Sequence, residues 1–167
     1  MKWQKNIALV LIMGIVYCFM EVAFRAATFE CRPLYPNFFS LYGSVSLWML
    51  PIGGLIGLLI GKLNEWFWTK DLPVWAQALI SMGLIYAVEF ISGFVLNIAP
   101  FHLNIWSYAG LPGNLMGQIW IGFAPIWFLV SPFAMWFDDM LEINIYRTPG
   151  RAEYTLLDIY GALFRGK

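Results

Sequence analysis

Four apolar runs separated by three shorter loops set the pattern of this chain. They cover about residues 6–24, 44–61, 74–97 and 115–137. A helix needs about 20 residues to cross the hydrocarbon core of a bilayer. At that length only a helix closes its own backbone hydrogen bonds in lipid. The pattern therefore predicts an all-α, polytopic membrane protein with four transmembrane helices. Residues 148–167 follow a different rhythm: Thr148 is placed to cap a helix and Pro149 to open it. Leu156, Leu157, Tyr160, Leu163 and Phe164 then share one face, with Asp158, Gly161 and Arg165 opposite. That is the pattern of an amphipathic helix lying in the membrane interface or docking on a partner. The expected division is a transmembrane domain over 1–147 and an interfacial tail over 148–167.

Composition agrees with the pattern. Hydrophobic residues make up 60% and charged residues 12% of the chain, with mean hydropathy +0.68. A soluble domain carries about 25% charged residues. The formal net charge of zero removes the electrostatic basis for nucleic-acid binding. Cys18 falls in the first run and Cys31 beyond it, so they are not expected to pair. With a single histidine, His102, no Cys/His metal site or cofactor is expected. Lys2 and Lys5 precede a first run longer than a signal core, with no small-residue cleavage pattern after it, which reads as an uncleaved anchor.

Basic residues set the orientation. Lys2, Lys5, Lys62, Lys70, Arg147, Arg151, Arg165 and Lys167 fall on one side of the four crossings. Arg25 and Arg32 fall on the other. The excess marks the cytoplasmic side, so both termini are expected in the cytoplasm and the protein in the plasma (cytoplasmic) membrane.

The second run contains Gly53, Gly57 and Gly61, a doubled GxxxG. Such spacing makes a flat groove for a close helix neighbour, in the same chain or in another copy. Pro125 and Pro132 in the fourth run are expected to bend it. The loop Lys62 to Pro73 carries Trp66, Phe67 and Trp68, which read as interfacial aromatics.

Polar residues inside membrane-length runs are costly, and they are where function is sought. Tyr86, Glu89, Gly93 and Asn97 recur every three or four residues and share a helix face. That face is expected to point inward. Glu21 and Arg25 form an acid-first pair one turn apart; Glu30 and Arg32 follow in the same loop. The third loop adds Asn104, Trp106, Ser107, Tyr108 and Asn114, with Gln118 four residues further on. Glu21, Arg25, Glu89, Asn97, Asn114 and Gln118 are expected to converge on an outward-facing polar cavity, with Trp106 and Tyr108 over its mouth. His102 reads as polar surface. Asp138, Asp139 and Glu142 read as a solvated helix end, because three acids without a substrate phosphate make a poor magnesium cage.

These residues also carry a resemblance. Glu89-Phe90-Ile91-Ser92-Gly93-Phe94, Ile105-Trp106-Ser107-Tyr108, Asn114-Leu115-Met116-Gly117-Gln118 and Trp127-Phe128 resemble the signature of the putative ABC-transporter type IV permease family. This family is also called CmpB-like and includes the animal transmembrane protein 229 group. Tyr17-Cys18-Phe19-Met20-Glu21-Val22 and Pro51-Ile52-Gly53-Gly54 are similar to its first two helices. The resemblance spans about residues 17–139. It implies the fold and the polar face. Relatives often have an acid where this chain has Ser107, and the chain holds no nucleotide-binding motif.

The expected function is binding or movement of a small polar solute or lipid headgroup, with a homo-oligomer or membrane-complex partner supplying further bulk. Two other classes stay open. One is an accessory subunit whose polar groups pair with each other. The other is a membrane enzyme acting on lipid with Glu21 and Glu89 as acid and base.

Overall fold

A computed structural model describes residues 2–27, 44–63, 65–66, 69–147 and 154–166. The readings made for Glu30, Cys31, Arg32, Phe67, Trp68, Thr148, Pro149, Arg151 and Lys167 lie outside the described residues. The chain forms two compact units, Met1–Leu58 and Leu59–Lys167.

The first unit contains helix α1, Lys2–Ala27, and most of helix α2, Met49–Gly61. The glycine face of α2 is covered within the chain. A Cβ on Gly53 would strike the Tyr17 ring, one on Gly57 would reach the Met13 side chain at 2.6 Å, and one on Gly54 would strike the Val10 carbonyl. Absence of side chains is thus what lets α1 and α2 approach, as GxxxG spacing allows. The partner left open by the sequence is α1 itself.

Helix α2 is shorter than the 44–61 run suggested. Residues 44–48 are not helical: the Met49 amide donates to the Ser46 carbonyl at 2.9 Å, and the Trp48 amide to Ser46 Oγ at 3.3 Å. The serine offers the backbone a local alternative to the helix, and Pro51 then sits in the first turn, where a missing donor is tolerated. Among the described residues three helices are long and apolar enough to cross a membrane, Trp3–Ala26, Val74–Ile98 and Ile121–Asn144; the 13-residue α2 is a shorter apolar helix.

The second unit is built on helix α3, Val74–Gly93, continued by one π-helical turn over Phe94–Ile98. Its inward stripe is Gln77, Ser81, Ile85, Glu89 and Gly93, one residue per turn. The fourth run departs most from expectation. Residues 114–120 form a two-stranded hairpin, β1 Asn114–Leu115 and β2 Ile119–Trp120, with Leu115 opposite Ile119. The Gln118 amide closes the turn onto the Leu115 carbonyl at 3.0 Å. Both central residues are left-handed, Met116 at φ 52° and Gly117 at φ 70°. Positive φ at both positions is the signature of a type I′ hairpin turn, and no helix can pass through it. After a 3₁₀ turn, Ile121–Phe123, helix α4 runs from Ala124 to Asn144. Pro125 therefore opens α4 instead of bending it, and Pro132 alone lies inside.

The tail helix α5, Leu156–Arg165, packs against α3 and α4. It is capped by Thr155. The Asp158 amide donates to Thr155 Oγ1 at 3.2 Å, and the Thr155 amide donates back to Asp158 Oδ2 at 2.8 Å. This reciprocal box satisfies two orphan donors. The Thr155 hydrogen bonds hold the Asp158 carboxyl below its usual value, side chain first and backbone second. Ile159 and Leu163 face inward, and Tyr160 donates to the Leu129 carbonyl at 2.6 Å. Leu157 and Phe164 are exposed. The apolar face read from the sequence is therefore split between protein and surroundings.

Candidate functional site

Two polar centres stand at opposite ends of the α3–α4 pair. At the hairpin end, Asn97 sits in the π turn that closes α3. Its Nδ2 donates to Gln118 Oε1 at 2.9 Å and to the Trp106 carbonyl at 3.1 Å, and its Oδ1 accepts from the Ile105 amide at 2.6 Å. The buried Trp106 indole N–H donates to the Gln118 carbonyl at 3.0 Å. Gln118 Nε2 donates to the Met116 carbonyl at 3.0 Å. Gly93 leaves the space for this cap: a Cβ there would lie 2.6 Å from Gln118 Oε1 and 3.0 Å from the Trp106 ring. Glu89 lies one turn further down the same stripe and is 6% exposed. Tyr86 donates to the Trp120 carbonyl at 3.0 Å.

Of the expected constellation, Asn97, Trp106 and Gln118 meet directly, with Glu89 below them. Trp106 is a member of the network, not a cover over it. Asn114 is used inside the hairpin: its amide donates to the Leu111 carbonyl at 2.6 Å and its oxygen accepts from the Gly117 amide at 2.8 Å. Tyr108 packs edge-on against Phe123, with ring centroids 5.5 Å apart. Glu21 and Arg25 pair with each other on α1 at 2.9 Å. His102 is exposed in the loop.

The other end holds a centre that sequence reasoning placed in solvent. Asp138, Asp139 and Glu142 are all buried, two of them completely. The Lys62 ammonium, just past α2, meets Glu142 Oε1 at 2.7 Å, Glu65 Oε1 at 3.1 Å and Asp138 Oδ2 at 3.3 Å. A Cβ on Gly61 would strike the Asp138 side chain, so this glycine seats the acid rather than another helix backbone. Asp139 accepts from the Tyr154 hydroxyl, and Trp136 Nε1 donates to the Tyr154 carbonyl at 3.2 Å. Carboxylate oxygens of Glu65, Asp138 and Glu142 lie within 4.8 Å of one another, close enough to share a cation. Lys62 stands in that position. The solvated reading failed because these acids look outward only until Lys62 is brought to them. The available signal was the Asp138/Glu142 spacing, which puts two acids on one face, together with a glycine directly before a lysine at a helix end.

A family profile described as putative ABC-transporter type IV matches residues 8–164. The chain belongs to this family. The match covers α1 to α5 almost entirely and includes both polar centres. No curated protein and no solved structure matches the chain. Family membership and the long apolar helices make it a multi-pass membrane protein of a putative transporter family.

Proposed function

We propose that this protein binds or moves a small polar solute or a lipid headgroup, with Glu89 as the group that engages it. The reading includes four crossings with α2 as the short one, both termini in the cytoplasm of a plasma-membrane protein, and α5 at the inner interface. Lys62, Lys70, Arg147 and Arg165 on one side support that orientation. The observation that carries the function is Glu89 itself: a carboxyl buried on the inward stripe of a membrane-length helix, one turn below the hydrogen-bonded cap. Ionisable groups at such positions mark substrate, ion or proton pathways. In this reading Asn97, Trp106 and Gln118 form a cap over Glu89, and opening it admits the ligand. Glu21 and Arg25 have each other, and Asn114 shapes the hairpin. An assembly of copies would use a face other than Gly53 and Gly57, which α1 covers.

The test is mass spectrometry, native and denaturing, on protein extracted gently from membranes. A stoichiometric lipid or metabolite that is lost in folded Glu89→Gln supports this function and names the ligand class. Retention of the same molecule by the folded variant refutes it.

The closure of the Asn97–Trp106–Gln118 network favours one second reading, an accessory subunit whose polar groups serve each other. A stoichiometric protein partner without a small molecule is the outcome that selects it.

A further inference from the structure

We infer that residues 105–120 form a re-entrant segment, lying in the outer leaflet beside α3 with Leu111, Leu115 and Met116 against acyl chains. Tyr86 bonds to the Trp120 carbonyl and, at 3.3 Å, to that of Ile121, so α4 begins level with the middle of α3. From Tyr86 to Ile98 α3 continues about 18 Å further at 1.5 Å per residue. At the other end, Val74 and Gln77 line one recess together with Met135, so α4 runs on past the start of α3. From Met135 to Asn144 that excess is about 14 Å. The two helices are staggered, and one bilayer cannot cover both overhangs.

Charge decides which overhang lies in hydrocarbon. The α4 overhang carries Asp138, Asp139 and Glu142, gathered with Lys62 and Glu65. The α3 overhang, residues 86–98, carries Glu89 alone, and residues 99–123 carry no Asp, Glu, Lys or Arg. The bilayer therefore brackets α3. Beside its outer half stands not the missing part of a fourth helix but the hairpin, with Gln118 and Trp106 packed at Gly93.

The segment is built for that place. Its large exposed side chains are apolar: Leu111, Leu115 and Met116 are 38%, 52% and 56% exposed, while Trp106 and Gln118 are buried inside and the exposed polar side chains His102 and Asn104 precede it. Non-helical backbone survives at membrane depth only where its polar groups are satisfied by protein or cavity water. Here the Leu103 amide donates to the Leu96 carbonyl at 2.7 Å, Ile105 to Asn97, and Tyr108 to the Gly117 carbonyl at 2.7 Å. Trp120 Nε1 donates to the Pro112 carbonyl at 2.9 Å. The outer face continues the lipid-facing surface of α3, where Ile91 is 63% exposed.

Spin labels placed singly at Leu115, Met116, Ile91 and His102, in full-length protein with Cys18→Ser and Cys31→Ser, test this in phosphatidylethanolamine–phosphatidylglycerol vesicles. The labelled side chains are exposed, so labelling requires no repacking. Collisions with dissolved oxygen and with a water-soluble nickel chelate report depth. The expected result is an oxygen-to-nickel ratio at Leu115 and Met116 matching Ile91 and at least several-fold above His102. Nickel access at Leu115 and Met116 equal to that at His102 places the hairpin in water and overturns the inference. Dipolar broadening between copies labelled at Leu115 places a second chain there instead of lipid, and overturns it too. The outcome is independent of what Glu89 binds.

Discussion

Asn97, Trp106 and Gln118 at one end of the α3–α4 pair are neutral, and each finds its partners within a single local segment, residues 97–118. Lys62, Asp138 and Glu142 at the other end are ionisable and come from elements 76 and 80 residues apart. Both centres combine buried groups with a half-buried hub, Asn97 or Lys62, yet they depend on their partners differently. A neutral amide deprived of a bond keeps a modest desolvation penalty. A buried carboxylate deprived of its cation keeps an uncompensated charge, which costs much more. The same burial therefore makes one centre adjustable and the other an all-or-none lock on the fold.

The largest break in that comparison comes from Lys62→Met. It keeps an unbranched stem out to the ε position and removes the ammonium from Glu65, Asp138 and Glu142. Breaking one side of a buried pair costs about 3–5 kcal/mol. Thermal or denaturant unfolding in detergent should show a loss of that order. Adding Asp138→Asn and Glu142→Gln should recover a large part, because the acids then no longer need a cation. A Lys62→Met protein as stable as wild type would mean that the contacts are solvated and the lock does not exist.

The hairpin end should yield less. Gln118→Leu removes the acceptor of Asn97 and leaves the Asn97 amide with the Trp106 carbonyl. A loss of about 1–3 kcal/mol is expected for a buried polar group left short of a partner. Asn97→Leu combined with Gln118→Leu should cost less than the sum of the two, because both remove the same bond. Strict additivity in that cycle would show that Asn97 and Gln118 act separately and would remove the shared cap from the proposed site.

The same contrast explains what was legible in the sequence. The apolar runs gave α1 and α3 nearly to their ends, because helix and lipid impose one period and one length. Gly53 and Gly57 announced a close helix neighbour, since only small side chains leave such a groove. Of the face read as Tyr86, Glu89, Gly93 and Asn97, helical spacing placed Glu89 and Gly93 inward, while Tyr86 and Asn97 are half-buried and Asn97 sits in the π turn. The hairpin at 114–120 was hidden: Leu115, Met116 and Ile119 are as apolar as a span. The deciding fact is the left-handed backbone at Met116 and Gly117, where a single glycine is a weak local signal. The Lys62 centre was hidden for another reason. Its members are far apart in sequence, and an acidic helix end reads as solvated until a distant cation is placed beside it. The tail helix was anticipated, but its true start at Thr155 lay in an unread Thr-x-x-Asp capping pattern.

An exposed charge provides the smallest effect and the sharpest contrast with Lys62. Asp158 closes the α5 capping box in solvent-accessible surroundings, with both the Thr155 hydroxyl and amide donating to it. Those bonds favour the ionised form and lower its pKa. The sign follows: the folded state binds this proton less readily than the unfolded chain, so the contribution is complete above the ordinary aspartate range and is lost as pH falls through the lowered value. Amide exchange over residues 156–160, corrected for its intrinsic pH dependence, should therefore show weakening protection on acidification at the start of α5. The α4 core around Met135 should stay protected over the same change. Asp158→Asn should flatten the dependence at α5 and leave Lys62→Met and Gln118→Leu effects unaltered, since neither centre touches the box. If α5 protection does not respond to pH in wild type, the box adds nothing to its start, and docking of Ile159 and Leu163 alone holds the tail helix in place.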